Sequence, residues 1–360
     1  ILTRLNFKAE LNGDDLTVTC PLFREDMESY PDIAEEIIRE YGYDNIVPIL
    51  LKTSEITSGG LTDAQLKINA VKDLLTGYGF NEMISYSFVN EKEFDLYGID
   101  KTNVVRILNP LSEDSAVMRK SVLPSVVRAV LYNLNRKNNQ GRLFELAKVY
   151  IPKELPLKEL PVEEERLAFA VFGDNEDFFT LKGVVEGLIN ITCASDNVKY
   201  QPSTAKYLHP TRSADLIING TVYGSFGQLD PVLSEQLGID KPVYVCEINY
   251  CKLTEQFNDK VMFKAISKFP TVERDLAVVV DDNITCQQII DVIKESGGEF
   301  LENVSIFDVY KGVNIPENKK SMAYNLIFSS LDRTLNVEEI DQAVKNILEN
   351  LSSKLNAELR

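Results

Sequence analysis

Apolar and polar residues alternate in two short runs near the start of the chain, FKAEL (7–11) and LTVTC (16–20), with Asn12-Gly13-Asp14-Asp15 between them. Alternation with period two around a Gly-containing turn predicts a β-hairpin. The period then changes. From about Pro31 the apolar positions Ile33, Ala34, Ile37, Ile38 and Tyr41 recur at helical spacing, and Gly42 supplies a stop. A hairpin plus one helix is too small for a comfortable domain, so its N-terminal part is expected to be missing from this chain. Residues 49–60, ending in Ser-Gly-Gly, read as a linker. Amphipathic helices are predicted over 61–78, with Leu66, Ala70, Val71, Leu74 and Leu75 inward, and over about 124–136. A strand is predicted at 82–89. Further strands are predicted at 142–151, 166–172, 214–219, 221–228 and 242–249, with a helix at about 180–191. Helices scattered among antiparallel strands indicate an α+β domain.

Residues 250–268 form a second boundary, and beyond Phe269-Pro270 the pattern is cleaner. A strand (274–281), a helix (285–295), strands at 303–310 and 321–330, a helix (337–354) and a last strand at 357–360 follow in turn. The order β-α-β-β-α-β is that of the ferredoxin-like split βαβ fold. Its sheet carries helices on one face and leaves the other open, a geometry used by many RNA-binding domains.

At 360 residues the chain is long enough for two or three domains. Apolar residues are 44% and charged residues 26%, and no apolar run approaches a membrane span. The five cysteines are scattered and form no CxxC pair, which argues against disulfides and zinc and fits a reducing cytoplasm. His209 is the only histidine, so a His-dependent triad or metal centre is excluded, and a hydrogen-bonded structural role in a turn is expected. Lys182-Gly183 lacks the glycine spacing of a phosphate loop. The formal charge of −17 opposes non-specific nucleic-acid binding, so any RNA contact needs a local patch or a more basic partner.

Two clusters carry candidate chemistry. Asp32, Glu35 and Glu36 share one helical face and Asp26 lies just before that helix. All-oxygen donors suit a hard cation such as Mg²⁺, but spacing alone favours a solvated face near a helix N-terminus. In the last domain Tyr310, Lys311, Lys319, Lys320 and Arg333 offer one aromatic and four cations, either a base-stacking, phosphate-holding patch or an ordinary solvated rim. Residues 263–360 hold 11 Lys and Arg against 16 Asp and Glu, a net of −5, unlike a basic RNA binder.

Three motif groups give the chain a family resemblance. PLFREDMESYPDIAEEIIREYGYDNI (21–46) resembles the winged-helix-like domain of bacterial phenylalanyl-tRNA synthetase β subunits. NPLSEDSAVMRKSVLPSVVRAVLYNLNR (109–136), LFELAKVY (143–150) and LHPTRSADL (208–216) resemble their catalytic-like module. KFPTVERDLAVVVD (268–281), FDVYKG (307–312) and DRTL (332–335) resemble their C-terminal anticodon-binding domain. The resemblance covers nearly the whole chain in family order, without the family's N-terminal tRNA-binding and editing domains. It implies three modules: a partial winged-helix-like domain (1–48), a class II synthetase catalytic-like module (49–256) and a ferredoxin-fold anticodon-binding domain (263–360).

The resemblance also implies roles. The family's magnesium-coordinating acids match Asp26, Asp32, Glu35 and Glu36 one by one, in a site shared with an α subunit. A class II motif 2 strand ends in an Arg on the ATP α-phosphate, but here Ile151-Pro152 follows AKVY, and Tyr223–Pro231 lacks the closing Arg of motif 3. No catalytic residue is therefore expected in this chain. ATP is used by the assembled enzyme and not bound here. The implied partners are the α subunit, in an assembly of two α and two β, and tRNA(Phe), with no membrane. The helices at 61–78 and 124–136 are expected to meet partner helices. Two other readings stay open: a scaffold without RNA contact, and a free-standing Mg²⁺-dependent enzyme built on the acids.

Overall fold

The structure is a computed structural model that describes residues 1–50, 59–192, 198–257, 263 and 265–360. The chain divides into two compact units, Ile1–Ala70 and Val71–Arg360.

In the first unit β1 (Lys8–Asn12) and β2 (Asp15–Thr19) pair antiparallel, with Asn12 opposite Asp15 across the turn. Gly13 sits at φ +66° in that turn, which a Cβ would strain. Helix α1 (Tyr30–Tyr41) starts from a capping box in which Ser29 and Asp32 satisfy each other's backbone N–H groups, and it stops at Gly42. The expected helix face is not the buried one. Ala34 and Tyr41 are exposed, whereas Glu36 is only 6% exposed. Within this unit the apolar side of α1 faces β2 across an open cleft of about 510 Å³ lined by Leu16, Val18, Cys20, Ile33 and Ile37. Helix α2 (Asp63–Gly77) runs across the division between the units, and its Val71 and Leu75 are fully buried. The expected linker falls largely on residues 51–58, outside the described residues.

The second unit begins with β3 (Asn81–Glu82), β4 (Phe88–Val89), α3 (Lys92–Tyr97) and β5 (Val117–Met118). The single strand expected at 82–89 is thus two short ones in different sheets, because β3 pairs with a long strand while β4 pairs with β5. Next come α4 (Leu123–Asn135), β6 (Gly141–Ile151), β7 (Val162–Phe172), α5 (Phe178–Thr192), β8 (Val198–Gln201), β9 (Leu208–Ile218), β10 (Thr221–Leu229), α6 (Pro231–Leu237), β11 (Val243–Asn249) and α7 (Tyr250–Thr254). They build a seven-stranded sheet in the order β3-β6-β7-β11-β10-β9-β8. All its pairings are antiparallel except β3 with β6.

Both faces of the sheet are covered. On one, α4 buries Leu123, Val126, Val127 and Val130 against Ala168, Ala170 and Val245. At roughly 25 cal/mol per Å² of apolar area, burying each such side chain contributes about 1.5–3 kcal/mol. On the other, the row Phe144, Phe169, Cys246 and Phe226 meets Phe80, Phe178 and Tyr200 edge-on or stacked. Gly187 of α5 is needed there, because a Cβ would lie 2.5 Å from the Tyr78 hydroxyl.

The remaining elements are β12 (Val272–Asp281), α8 (Cys286–Ser296), β13 (Leu301–Tyr310), β14 (Lys319–Phe328), α9 (Val337–Leu355) and β15 (Glu358–Leu359). Their sheet has the order β13-β14-β12-β15. It matches the β-α-β-β-α-β expectation, with β14 beginning two residues earlier than its sequence pattern suggested. Leu276, Val278, Val280, Tyr324, Leu326 and Phe328 point into a core with Ile289, Ile293, Ile347 and Leu351 of the two helices. Among the described residues no helix is long and apolar enough to cross a membrane.

Candidate functional site

Three places in the structure bear on function: the seven-stranded sheet, the acid-rich turn before α1 and the open face of the four-stranded sheet.

In the seven-stranded sheet, strand register puts Glu145, Ala168, Glu247, Ser225, Asp215 and Gln201 opposite one another in one row across six strands. This row lies on the face covered by α4. Two of its carboxylates, Glu145 and Glu247, have both oxygens bonded inside the protein. Glu145 accepts from Ser85 N at 3.0 Å, Ser85 Oγ at 2.7 Å and Arg119 Nη1 at 3.2 Å. Arg119 is 3% exposed and also donates Nε–H to the Lys148 carbonyl. Glu247 accepts from Ser121 Oγ and from the backbone N–H groups of Val122 and Leu123, satisfying donors at the start of α4. Ser225 Oγ donates to Asp215. Such a row holds the sheet to its helix. At the end of β6, Lys148 is paired with Glu163, and Ile151 and then Pro152 follow. His209 lies in β9 and not in the expected turn, and its Nδ1 accepts from the Thr211 backbone N–H at 3.1 Å.

Helix α4 packs its apolar face on the chain's own sheet, and Arg128 on its outer side pairs with Glu93.

The four acids before and on α1 do not converge. Arg24 lies among them, donating Nε–H to Asp26 Oδ1 at 2.9 Å and Nη2–H to Asp26 Oδ2 and Glu36 Oε1, both at 2.7 Å. Arg39 takes the second oxygen of Glu36. Asp32 Oδ2 accepts from Ser29 N, Ser29 Oγ and Glu28 N. Glu35 is exposed. The Arg24 hydrogen bond holds the Asp26 carboxyl at about 2, below its ordinary value, and bonds from Arg24 and Arg39 lower that of Glu36. Among the described residues no three metal-type side chains come together. The oxygen donors suit Mg²⁺ by chemistry, but this arrangement, with Arg24 between them, does not fit it.

The face of the four-stranded sheet away from its helices carries the side chains that alternate with its core, and at its middle Val279, Ser321 and Ala323 are buried. From the register the alternating side chains are Glu273, Asp275, Ala277, Val279 and Asp281 of β12, Lys319, Ser321, Ala323 and Asn325 of β14, and Asp308 and Tyr310 of β13, with Glu358 of β15. Tyr310 and Lys319 share one end of this face. Lys311 is beside them, paired with Asp282. Lys320 turns to the helix-covered side, opposite Val280, and its Nζ donates to the Asp282 carbonyl.

Arg333 does not join the patch. It lies past the other end of β14, where its guanidinium sits over Phe300 at 5.4 Å and pairs with Glu339. A ten-residue strand at about 3.3 Å per residue puts those two ends about 30 Å apart. The cation that does join is one the sequence reading missed, Arg360. Its backbone N–H donates to the Ala277 carbonyl beyond β15, Nη1 reaches Ser321 Oγ, and the guanidinium lies 5.1 Å from the Tyr310 ring centroid. Only the weak signal of an Arg beside a short terminal strand could have pointed to it. Tyr310, Arg360 and Lys319, the last bonded to Glu358 at 2.7 Å, thus form an aromatic-cationic corner on an otherwise acidic face. A guanidinium above a ring is a surface on which a nucleic-acid base can stack.

Comparison with known proteins agrees with this layout. A model of the tRNA synthetase B5 domain matches residues 1–43, and one of the ferredoxin-fold anticodon binding domain matches 267–360. Between them, a model of the phenylalanyl tRNA synthetase beta chain CLM domain matches residues 47–250. Curated relatives include the phenylalanine–tRNA ligase beta subunits of Clostridium tetani, 39% identical, and Bacillus subtilis, 38% identical. Each alignment covers all of this chain and 46% of the relative, so the chain spans about half the length of the curated relatives it matches. A solved structure titled as a pyrrolysyl tRNA synthetase, from Desulfitobacterium hafniense, is 13% identical and covers 53% of this chain and 65% of its own. Its TM-score of 0.42 carries no argument about fold. With the beta chain CLM-domain model matching more than half of its residues, flanked by the B5 and anticodon-binding models, the chain belongs to the phenylalanyl-tRNA synthetase β chain family.

Proposed function

We propose that this chain is the part of a phenylalanine–tRNA ligase β subunit that completes the assembly and holds tRNA(Phe), with no chemistry of its own. Its partner is an α subunit, in an assembly of two α and two β in the cytoplasm, and the partner's site handles ATP and activates phenylalanine. The observation that carries this reading is the contrast between the two sheets. The seven-stranded sheet, the counterpart of a class II catalytic-like module, has its Glu145 and Glu247 carboxylates saturated internally by Arg119, Ser85, Ser121 and the start of α4. The four-stranded sheet has its helices on one face, and at one end of the other the Arg360 guanidinium lies over the Tyr310 ring. tRNA meets the chain through that corner, with Lys311 and Lys319 beside it.

The corner is small and the face around it acidic, so the chain alone binds tRNA weakly and most affinity comes from the assembly. The test is co-purification with a matching α subunit followed by aminoacylation of tRNA(Phe). Charging is expected from the assembly, and no phenylalanine-dependent ATP–pyrophosphate exchange from the chain alone. Exchange by a preparation free of α subunit refutes the non-catalytic reading. Full charging by an assembly lacking residues 263–360 leaves a scaffold without RNA contact.

A further inference from the structure

The acid-rich turn before α1 already holds a cation, and that cation is part of the protein. One nitrogen of Arg24, Nη2, stands 2.7 Å from an oxygen of Asp26 and 2.7 Å from an oxygen of Glu36. That bridging position is where a metal joining the two carboxylates has to sit. Magnesium demands oxygen ligands at about 2.0–2.1 Å in near-octahedral array, and it cannot share them with a guanidinium on the same lone pairs.

Three further features favour the guanidinium. Its side chain is 22% exposed and lies 5.8 Å from the ring of Phe7, which is 2% exposed, so the cation is held on an apolar floor. Glu36 is the one buried residue of α1, and Arg39 occupies its remaining oxygen. Asp26 and Glu36 are held by two guanidiniums, Arg24 and Arg39, so these two carboxylates already carry their counter-charge. Asp32, the next acid along, is bound to the backbone N–H groups that start α1.

We infer that Arg24 is the resident counter-ion of Asp26 and Glu36, and that Mg²⁺ reaches these carboxylates only when Arg24 is displaced. The family resemblance pointed to the opposite reading, and the sequence, with five acids from Asp26 to Glu36, gives no sign that Arg24 folds back among them. The inference does not depend on the tRNA-binding role, because it concerns the chain without partner or RNA.

The experiment is a calorimetric Mg²⁺ titration of the 360-residue chain, with thermal unfolding in MgCl2 and in NaCl of matched ionic strength. Wild type is expected to show no saturable heat and no Mg²⁺-specific rise in Tm. Arg24→Ala is expected to melt lower and to bind Mg²⁺ at least about tenfold more tightly than wild type, a gain lost again on adding Asp26→Ala. Arg24→Lys keeps a cation in place and is expected to resemble wild type. If Arg24→Ala fails to fold, Arg24→Gln serves, being neutral and of similar reach. Saturable Mg²⁺ binding by wild type that Asp26→Ala abolishes overturns the inference. A folded Arg24→Ala or Arg24→Gln protein that gains no Mg²⁺ affinity overturns it as well.

Discussion

The two large sheets of this chain use polar residues in opposite ways. In the seven-stranded sheet, Glu145 and Glu247 lie in the row facing α4, and every oxygen they offer is taken by Ser85, Arg119, Ser121 or the first N–H groups of the helix. Buried polar groups of this kind are costly if left unpaired, so a saturated row fixes one arrangement of helix on sheet. In the four-stranded sheet the helices cover one face only, and the other presents Tyr310, Arg360 and Lys319 beside several acids. A covered sheet with internal ion pairs makes structure, while an open one with an aromatic-cationic corner can make contacts. The difference teaches that one sheet of a chain can spend its polar groups on packing while another leaves some of them at its surface.

The largest expected effect tests the closed sheet. Arg119→Ala leaves the Glu145 carboxylate buried without its counter-ion, and breaking a buried pair costs about 3–5 kcal/mol. Urea unfolding followed by tryptophan-free probes, such as tyrosine fluorescence or circular dichroism, should show that loss. A change within a few tenths of a kcal/mol means that the row does not hold the sheet. Glu247→Ala comes next. It strips acceptors from Val122 N, Leu123 N and Ser121 Oγ, and leaving such buried donors unsatisfied costs about 1–3 kcal/mol. Amide hydrogen exchange should show the first turn of α4 losing protection before the strands do.

The smallest effect is pH-dependent and belongs to the last domain. The Arg333 guanidinium, followed by the Asn336 N–H, lowers the Glu339 carboxyl from 4.5 to about 2. A depressed carboxyl contributes stability that is complete above its unfolded value and is lost as pH falls through the folded one. The contribution should therefore be present above about pH 4.5 and fade toward pH 2. Both partners are solvent-exposed, so salt should weaken it. Thermal melts of wild type and Glu339→Gln should converge as pH falls across that window. A constant difference in Tm across it contradicts the assignment.

How much of this was legible in the sequence depended on whether the deciding contact was local. The ferredoxin-like order was readable because each strand and helix of 272–359 has a clean period and the turns between them are marked. The hairpin and α1 were readable for the same reason. Periodicity could not say what covers a helix face. It grouped Ile33, Ala34, Ile37, Ile38 and Tyr41 on one face, but it could not show Arg24, twelve residues upstream, folding over Glu36 and burying it. The segment 82–89 looked like one strand, yet Ser85 bonds Glu145 sixty residues away and the chain changes sheets there. Closeness in sequence misled in the last domain. Arg333 follows Lys320 by few residues, but β14 lies between them and carries it to the far end of the sheet, while Arg360 comes back to Tyr310 through β15.

The central claim is that the open four-stranded sheet, and not the closed seven-stranded one, meets tRNA. The most direct measurement is tRNA(Phe) affinity of the α-bound assembly across a salt series, comparing wild type with Tyr310→Ala plus Arg360→Ala. Removing the stacking ring and its cation should weaken binding by about tenfold or more, since a base–aromatic stack is worth about 1–3 kcal/mol. If Arg360 also touches a phosphate, the salt slope should fall by roughly one unit. Affinity and slope both equal to wild type, in an assembly of unchanged Tm, contradict the account.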